Sequence, residues 1–175
     1  RDLRMSRGLG DVYKRQLDEG AEDMQREDVD LLAVARRQAD NLSQAAESAQ
    51  VSLSVSGESA VVNGIPQLLD AIVHNLCENA IKYNHPGGFV KVNVRREGGS
   101  ALLTVEDNGI GIPPEQQERI FERFYRVDKS HSKASGGTGL GLSIVKHAVQ
   151  YHHGTVELHS EEGKGTTICI LLPKE

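Results

Sequence analysis

Residues 66–83, PQLLDAIVHNLCENAIKY, decide how the rest of the chain is read. Pro66 stands where a helix favours its first residue, because the missing N–H costs nothing there, and His85-Pro86-Gly87-Gly88 stops the run. At about 100° per residue, Leu68, Ile72, Leu76 and Tyr83 share one apolar stripe. Asn79 falls inside that stripe, and Asn75 and Lys82 flank it on one edge. An amide buried there without a partner costs about 1–3 kcal/mol, so Asn79 must have one. Two readings stand side by side: a structural Asn bonded to backbone, or an amide oxygen ligating Mg2+ with Lys82 near phosphate oxygens. The second suits a hard cation that keeps waters and phosphate ligands. The helix alone does not choose between them.

Upstream, residues 30–49 carry an apolar helical face of Leu31, Leu32, Val34, Ala35, Ala39, Leu42 and Ala46. Residues 51–56 alternate with period two, as a strand with one buried face does, and a short strand at 60–62 ends at the Asn63-Gly64 turn signal. Downstream, 89–95 and 101–106 pair across a turn at 97–100, and 155–158 with 166–172 form a closing hairpin. The polar stretch 113–137 between them is helical only around 115–124, and helix resumes over about 138–151. Strands and helices mix without strict alternation. The expected fold is therefore α+β, a two-layer sandwich whose mixed sheet is covered by helices on one face. A long loop inside such a domain is more often functional than idle.

The chain has 175 residues, 38% of them apolar, enough for one domain of ordinary size plus an appendage. A net charge of −5 disfavours a nucleic-acid binder, whose footprint is basic. Clean periodic blocks of apolar residues argue against disorder. No apolar run approaches the ~18 residues that cross a bilayer, and no signal peptide is present, so a cytoplasmic fragment without membrane contact is expected. Cys77 and Cys169 lack metal-ligand spacing and read as two small buried residues. The basic first sixteen residues, with glycines at 8 and 10, read as a frayed helix end or adventitious sequence, and the acidic stretch 18–30 as a linker.

Three further places carry chemistry. Asp107-Asn108-Gly109-Ile110-Gly111-Ile112 follows a strand. It is either an ordinary turn or a site where two glycines let backbone approach a flat ligand. In the latter, a buried carboxylate accepting from an exocyclic amine contributes roughly 1.5–3 kcal/mol and selects adenine over guanine. Gly136-Gly137-Thr138-Gly139-Leu140-Gly141-Leu142 opens a helix. It follows a polar loop rather than a strand, which excludes a dinucleotide-binding turn, and there is no P-loop Gly-Lys-Ser/Thr. What survives is free backbone N–H groups and a helix N-terminus suited to phosphate. In the intervening loop, Phe121 and Phe124 read as core anchors. Arg123, Arg126, Lys129 and Lys133 read as solvated charges, of which one or two could clamp a polyphosphate.

Taken in order, Asn75-Leu-x-x-Asn79-Ala-x-Lys82-Tyr83, Asp107-x-Gly-x-Gly-Ile112, Phe121-x-x-Phe124, Gly137-Thr-Gly-Leu-Gly-Leu142 and Gly163-x-Gly165-Thr166 resemble five sequence boxes. They are the N, G1, F, G2 and G3 boxes of the ATP-binding catalytic domain of two-component sensor histidine kinases. That domain belongs to the gyrase, Hsp90, histidine kinase and MutL superfamily, and the resemblance spans roughly residues 28–175. It implies a Bergerat-type sandwich with ATP between the long helix and a lid. On that likeness Asp107 binds the adenine amine, Gly109, Gly111 and Ile112 shape its pocket, and Tyr83 packs beside the base. Asn79 ligates Mg2+. Asn75, Lys82 and Arg126 carry the catalysis, Asn75 at the phosphates or metal shell and the other two at the terminal phosphates. Gly137, Thr138, Gly139, Leu140, Gly141 and Thr166 complete the nucleotide contacts. Such an inventory of positioning and charge is what phosphoryl transfer needs.

The implied function is a protein-histidine kinase domain that donates the γ-phosphate of ATP to a histidine on a separate dimerisation domain, serving a response regulator indirectly. The alternatives are a nucleotide-binding regulatory module without transfer, or an ATPase of the same superfamily. In the related ATPases a glutamate one turn before the metal Asn activates water. Asn75 holds that position here and cannot take a proton, and Glu78 points about 100° away from Asn79 on the helix wheel. Slow or absent hydrolysis is expected. None of the seven histidines lies in the acceptor context His-Glu/Asp-x-x-x-Pro. Residues 1–27 are expected to be a poorly matching remnant of the phosphoacceptor helix and linker, 28–175 the catalytic domain, and the fragment a monomer.

Overall fold

A computed structural model describes residues 25–122 and 141–174. In chain order they form β1 (Glu27–Asp30), α1 (Leu31–Ser48), β2 (Ser52–Gly57), β3 (Val61–Gly64), α2 (Pro66–Lys82), β4 (Phe89–Glu97) and β5 (Ser100–Asp107). A single 3-10 turn (Pro114–Gln116), α3 (Gly141–Tyr151), β6 (Thr155–Glu161) and β7 (Gly165–Pro173) follow. Five strands make one sheet in the order β2-β4-β5-β7-β6, with β2 parallel to β4 and every other pair antiparallel. The three helices cover one face, with α2 packed between α1 and α3. The expected α+β two-layer sandwich with a mixed sheet is the fold observed.

The register explains the core and where it ends. Val55, Val92, Val105, Ile168 and Leu158 form one row across all five strands. A second row runs Gly57, Val94, Leu103, Ile170 and Val156. Because side chains alternate along a strand, both rows face the helices, and the three central strands supply fully buried residues there. The third row on the same face begins with Leu53 and Val90 but continues with Asp107, Thr166 and Ser160. At that end of the sheet the layer between strands and helices turns polar.

Three local expectations are corrected. The acidic stretch read as a linker ends in strand β1, which pairs with β3 from Glu27–Gly64 to Asp30–Val61. Asn63-Gly64 therefore closes a strand rather than making a turn, because its ladder partners, Asp28 and Glu27, come from far upstream in the chain. Of the stretch expected to be helical around 115–124, the described part, up to residue 122, holds one 3-10 turn (Pro114–Gln116) followed by further turns, not a helix. It has little apolar face to bury: Ile120 goes inside, and Phe121 is only half-buried. Phe124, Arg123, Lys129, Lys133 and residues 1–24 lie outside the described residues.

His152 fastens α3 to the start of α2. Its Nδ1 donates to the Ala148 carbonyl at 2.7 Å, and its Nε2 accepts the Ile65 N–H at 3.1 Å, which fixes the tautomer. α2 has no side-chain cap of its own, so this imidazole takes up a backbone donor at its entry. Burial holds the His152 pKa below its ordinary value. Both cysteines are free: Cys77 is buried, with its thiol pushed up to about 12, and Cys169 is half-buried on the outer sheet face. Among the described residues no helix is long and apolar enough to cross a membrane.

Candidate functional site

The polar row at the end of the sheet is where the motif residues gather. Asp107 closes β5 at an inward position, and its Oδ1 accepts the Gly109 N–H at 2.9 Å. The Thr166 backbone N–H, from the facing residue of β7, also donates to this carboxylate. Burial nevertheless dominates and pushes the carboxyl up to about 6. A half-buried carboxylate held on one side by backbone donors still has lone pairs left to offer a ligand.

The turn after Asp107 is fitted to its neighbours on both sides. The Ile110 N–H donates to the Tyr83 carbonyl at 3.1 Å, and the Ile110 carbonyl accepts from Gly163 at 2.7 Å. A Cβ on Gly109 would lie 2.5 Å from the Tyr83 oxygen, and one on Gly111, whose φ is +71°, 2.1 Å from the Glu161 oxygen. Only glycine allows both approaches. The Ile112 N–H then donates to Ser160 Oγ at 2.8 Å, and Ser160 in turn reaches the Gly165 carbonyl and Thr166 Oγ1, each at 2.9 Å. Gln117 Nε2 bridges the Ile112 and Ser160 carbonyls at 2.9 and 3.1 Å. Sequence motifs marked Asp107, Gly109, Gly111, Ile112 and Thr166, all brought together here. They missed Ser160 and Gln117. The strand register carried a signal for Ser160, which sits opposite Thr166.

Along α2, Asn75, Asn79 and Tyr83 are spaced four apart and form a half-buried strip, with Lys82 beside it. The fully buried face is instead Leu68, Leu69, Ile72, Val73, Leu76 and Cys77. Asn79 therefore lies at the margin of the core rather than within it, where its amide needs no buried partner. Asn75 Nδ2 donates to the Ala71 carbonyl at 2.7 Å. Its Oδ1 lies 3.2 Å from where a Cβ on Gly141, the first residue of α3, would stand. The N-terminus of α3 thus abuts the Asn75 side of the strip. Arg126, Gly137, Thr138, Gly139 and Leu140 lie outside the described residues.

Glu78 points elsewhere. It pairs with His74 Nε2 at 3.5 Å, and His74 Nδ1 lies 3.3 Å from Gln38 Oε1 on α1. The pairing lowers the Glu78 pKa and raises that of His74. Among the described residues no cluster of three His, Cys, Asp or Glu could hold a metal. Any cation here would rest on neutral amide oxygens from the Asn strip, a donor set that fits hard Mg2+ completing its shell with phosphate and water.

The profile of the histidine kinase-, DNA gyrase B- and HSP90-like ATPases matches residues 64–175. The sensor-like histidine kinase SenX3 of Mycolicibacterium smegmatis is 39% identical over 178 residues, covering 98% of this chain and 45% of the relative. The sensor histidine kinase WalK of Bacillus subtilis is 48% identical over 111 residues, 62% of this chain and 18% of WalK. Among solved structures, the mycobacterial sensor histidine kinase MprB superposes with a TM-score of 0.74 at 33% identity, over 85% of this chain and 97% of that one. Full-length ShkA in complex with AMPPNP gives 0.80 at 25% identity, over 98% of this chain and 36% of ShkA. The chain spans less than half the length of these curated relatives.

Proposed function

Because the chain belongs to the histidine kinase-, DNA gyrase B- and HSP90-like ATPase family, we propose that it binds Mg-ATP at the polar end of the sheet and donates the γ-phosphate to a histidine on a separate dimerisation domain of a two-component sensor kinase. The observation that carries this reading is Asp107: a half-buried carboxylate at the polar end of the layer between sheet and helices, backed by Gly109 and Thr166. Its free lone pairs accept the exocyclic amine of adenine, with Gly109, Gly111 and Ile112 against the ring and Tyr83 beside it. The AMPPNP in full-length ShkA supports a nucleotide in this class of fold.

At the other end, Asn79 and Asn75 offer amide oxygens to Mg2+, which when bound neutralises phosphate charge, while Lys82 and Arg126 reach the terminal phosphates. Gly137, Thr138, Gly139, Leu140 and Gly141 supply backbone N–H groups at the start of α3, and Thr166 holds Asp107. No carboxylate stands one turn before Asn79, and Glu78 is occupied with His74, so the chain hydrolyses ATP slowly or not at all. Residues 28–175 act as the catalytic unit, a monomer that needs its acceptor domain supplied separately.

Calorimetric titration with ATP and Mg2+ tests the reading. Saturable binding that collapses in Asp107→Asn is expected. Undetectable binding, or binding that Asp107→Asn leaves unchanged, overturns the site. Rapid turnover that survives Asn75→Ala and is lost in Glu78→Ala would instead identify an ATPase.

A further inference from the structure

We infer that Asn108 is a positioning residue for adenine recognition, holding the 107–110 turn so that Asp107 meets the exocyclic amine without touching the nucleotide itself. The inference rests on the reading of Asp107 as the adenine acceptor. The β4–β5 ladder ends at Val90–Asp107, so the next pair would be Phe89 and Asn108. There the Phe89 N–H donates to Asn108 Oδ1 at 2.7 Å. The side-chain amide oxygen serves as the ladder's next acceptor. The Asn108 backbone carbonyl is thereby released, and it accepts from His85 Nε2 at 2.9 Å. The main chain can leave the sheet at Asp107 and still be anchored to it.

Asn84 holds the same residue from the other side. Its Nδ2 donates to the Phe89 carbonyl at 2.9 Å, and its Oδ1 accepts the His85 N–H at 2.8 Å. Gly88 fits between the two amides: a Cβ there would stand 2.0 Å from Asn84 Oδ1 and 2.9 Å from Asn108 Oδ1. The bond from Ile110 N to the Tyr83 carbonyl closes the circuit. The Asp107–Gly109 hydrogen bond therefore lies within a closed loop joining the end of α2, the start of β4 and the turn. A carboxylate must sit within about 0.5 Å of its productive position to recognise one amine, and loosening the turn forfeits that fit.

The test is calorimetric titration of the purified chain at pH 8 with ADP and with inosine diphosphate, whose base carries a carbonyl in place of the amine. Asn108→Ala is expected to weaken ADP about tenfold and inosine diphosphate less than about twofold, so that discrimination shrinks. In an Asp107→Asn background, Asn108→Ala is expected to change ADP affinity less than about twofold, because the bond it positions is already gone. If Asn108→Ala does not fold, Asn84→Ala, which loosens Phe89 from the other side, carries the same expectation. Parallel loss of both nucleotides, full additivity with Asp107→Asn, or no change overturns the positioning role. A parent chain that does not prefer ADP to inosine diphosphate, or an Asp107→Asn variant that binds ADP as before, overturns the adenine reading and the inference with it.

Discussion

At one end of the proposed site the Asp107 turn is tied to α2, to β4 and to the β6–β7 hairpin by hydrogen bonds of 2.7–3.1 Å. At the other, Asn79 and Lys82 make no side-chain hydrogen bond to any described residue, and Asn75 is bonded only to its own helix. The end proposed for adenine is held by these bonds without a ligand. The end proposed for the phosphates presents side chains on one helix, to be gathered by the metal and phosphates of the proposed ligand. Preorganised donors and acceptors lower the cost of recognition, whereas loosely held ones act when charge is there to gather them. Changes at the first end should alter both affinity and stability, and changes at the second should alter chemistry with little effect on folding.

The largest effect is expected from Asn79→Ala, which removes the amide oxygen proposed to ligate Mg2+. Phosphate transfer to a supplied acceptor should fall about a hundredfold or more. Unfolding free energy should stay within about 0.5 kcal/mol, as for surface substitutions generally. A variant that fails to fold would place Asn79 in the scaffold and break the contrast.

Asp107→Asn comes next. ADP affinity should drop about ten- to hundredfold, the measure of a hydrogen bond to a charged group. Burial raises the Asp107 carboxyl from 3.8 to about 6, so the folded protein holds that proton more tightly than the unfolded chain. The resulting stability is full below pH 3.8 and is lost as the pH rises through about 6. At pH 8 the ionised carboxylate therefore costs the ligand-free protein up to about 3 kcal/mol, and Asp107→Asn should melt higher there. ADP affinity of the parent chain should also weaken as the pH falls below about 6, and the Asn variant should not follow it. Equal melting temperatures at pH 8 would show that the carboxylate carries no such cost.

Away from both ends, His152→Ala leaves the Ile65 N–H without its acceptor and should destabilise the chain by about 1–3 kcal/mol, read by denaturant unfolding. Burial holds the His152 pKa below 6.5, so its stabilising contribution is full above pH 6.5 and fades as the pH falls below it. Nucleotide discrimination should be untouched. The smallest effect is expected from Glu78→Gln, which breaks an exposed pair with His74: under about 1 kcal/mol of stability, and no change in ATP turnover. A fall in turnover would make Glu78 a general base.

Much of this contrast could be read from the sequence, because the relevant signals are local. Pro66, the helical period of residues 66–83 and the glycine stop at 87–88 set α2 within a residue of its observed bounds. Apolar patterning marked β4, β5 and β7 as strands, and the non-alternating order of strands and helices pointed to a mixed sheet. Two kinds of feature stayed hidden. Strand β1 has too few apolar residues to announce itself and forms only because β3 supplies a partner far along the chain. Ser160, Gln117 and Asn108 act through pairings set by the strand register and by loop packing, and neither is written in their neighbours. Asp107 was legible from its glycines and Thr166 from the Gly163-x-Gly165-Thr166 box, but Ser160, opposite Thr166 on β6, was not.

The most direct test incubates the purified chain with Mg2+, γ-phosphate-labelled ATP and the parent kinase's phosphoacceptor domain supplied as a separate protein. Acid-labile label on an acceptor histidine is expected, lost in both Asn79→Ala and Asp107→Asn, with little phosphate released to solution. Nucleotide binding with no label on the acceptor, or rapid phosphate release in its place, would contradict it.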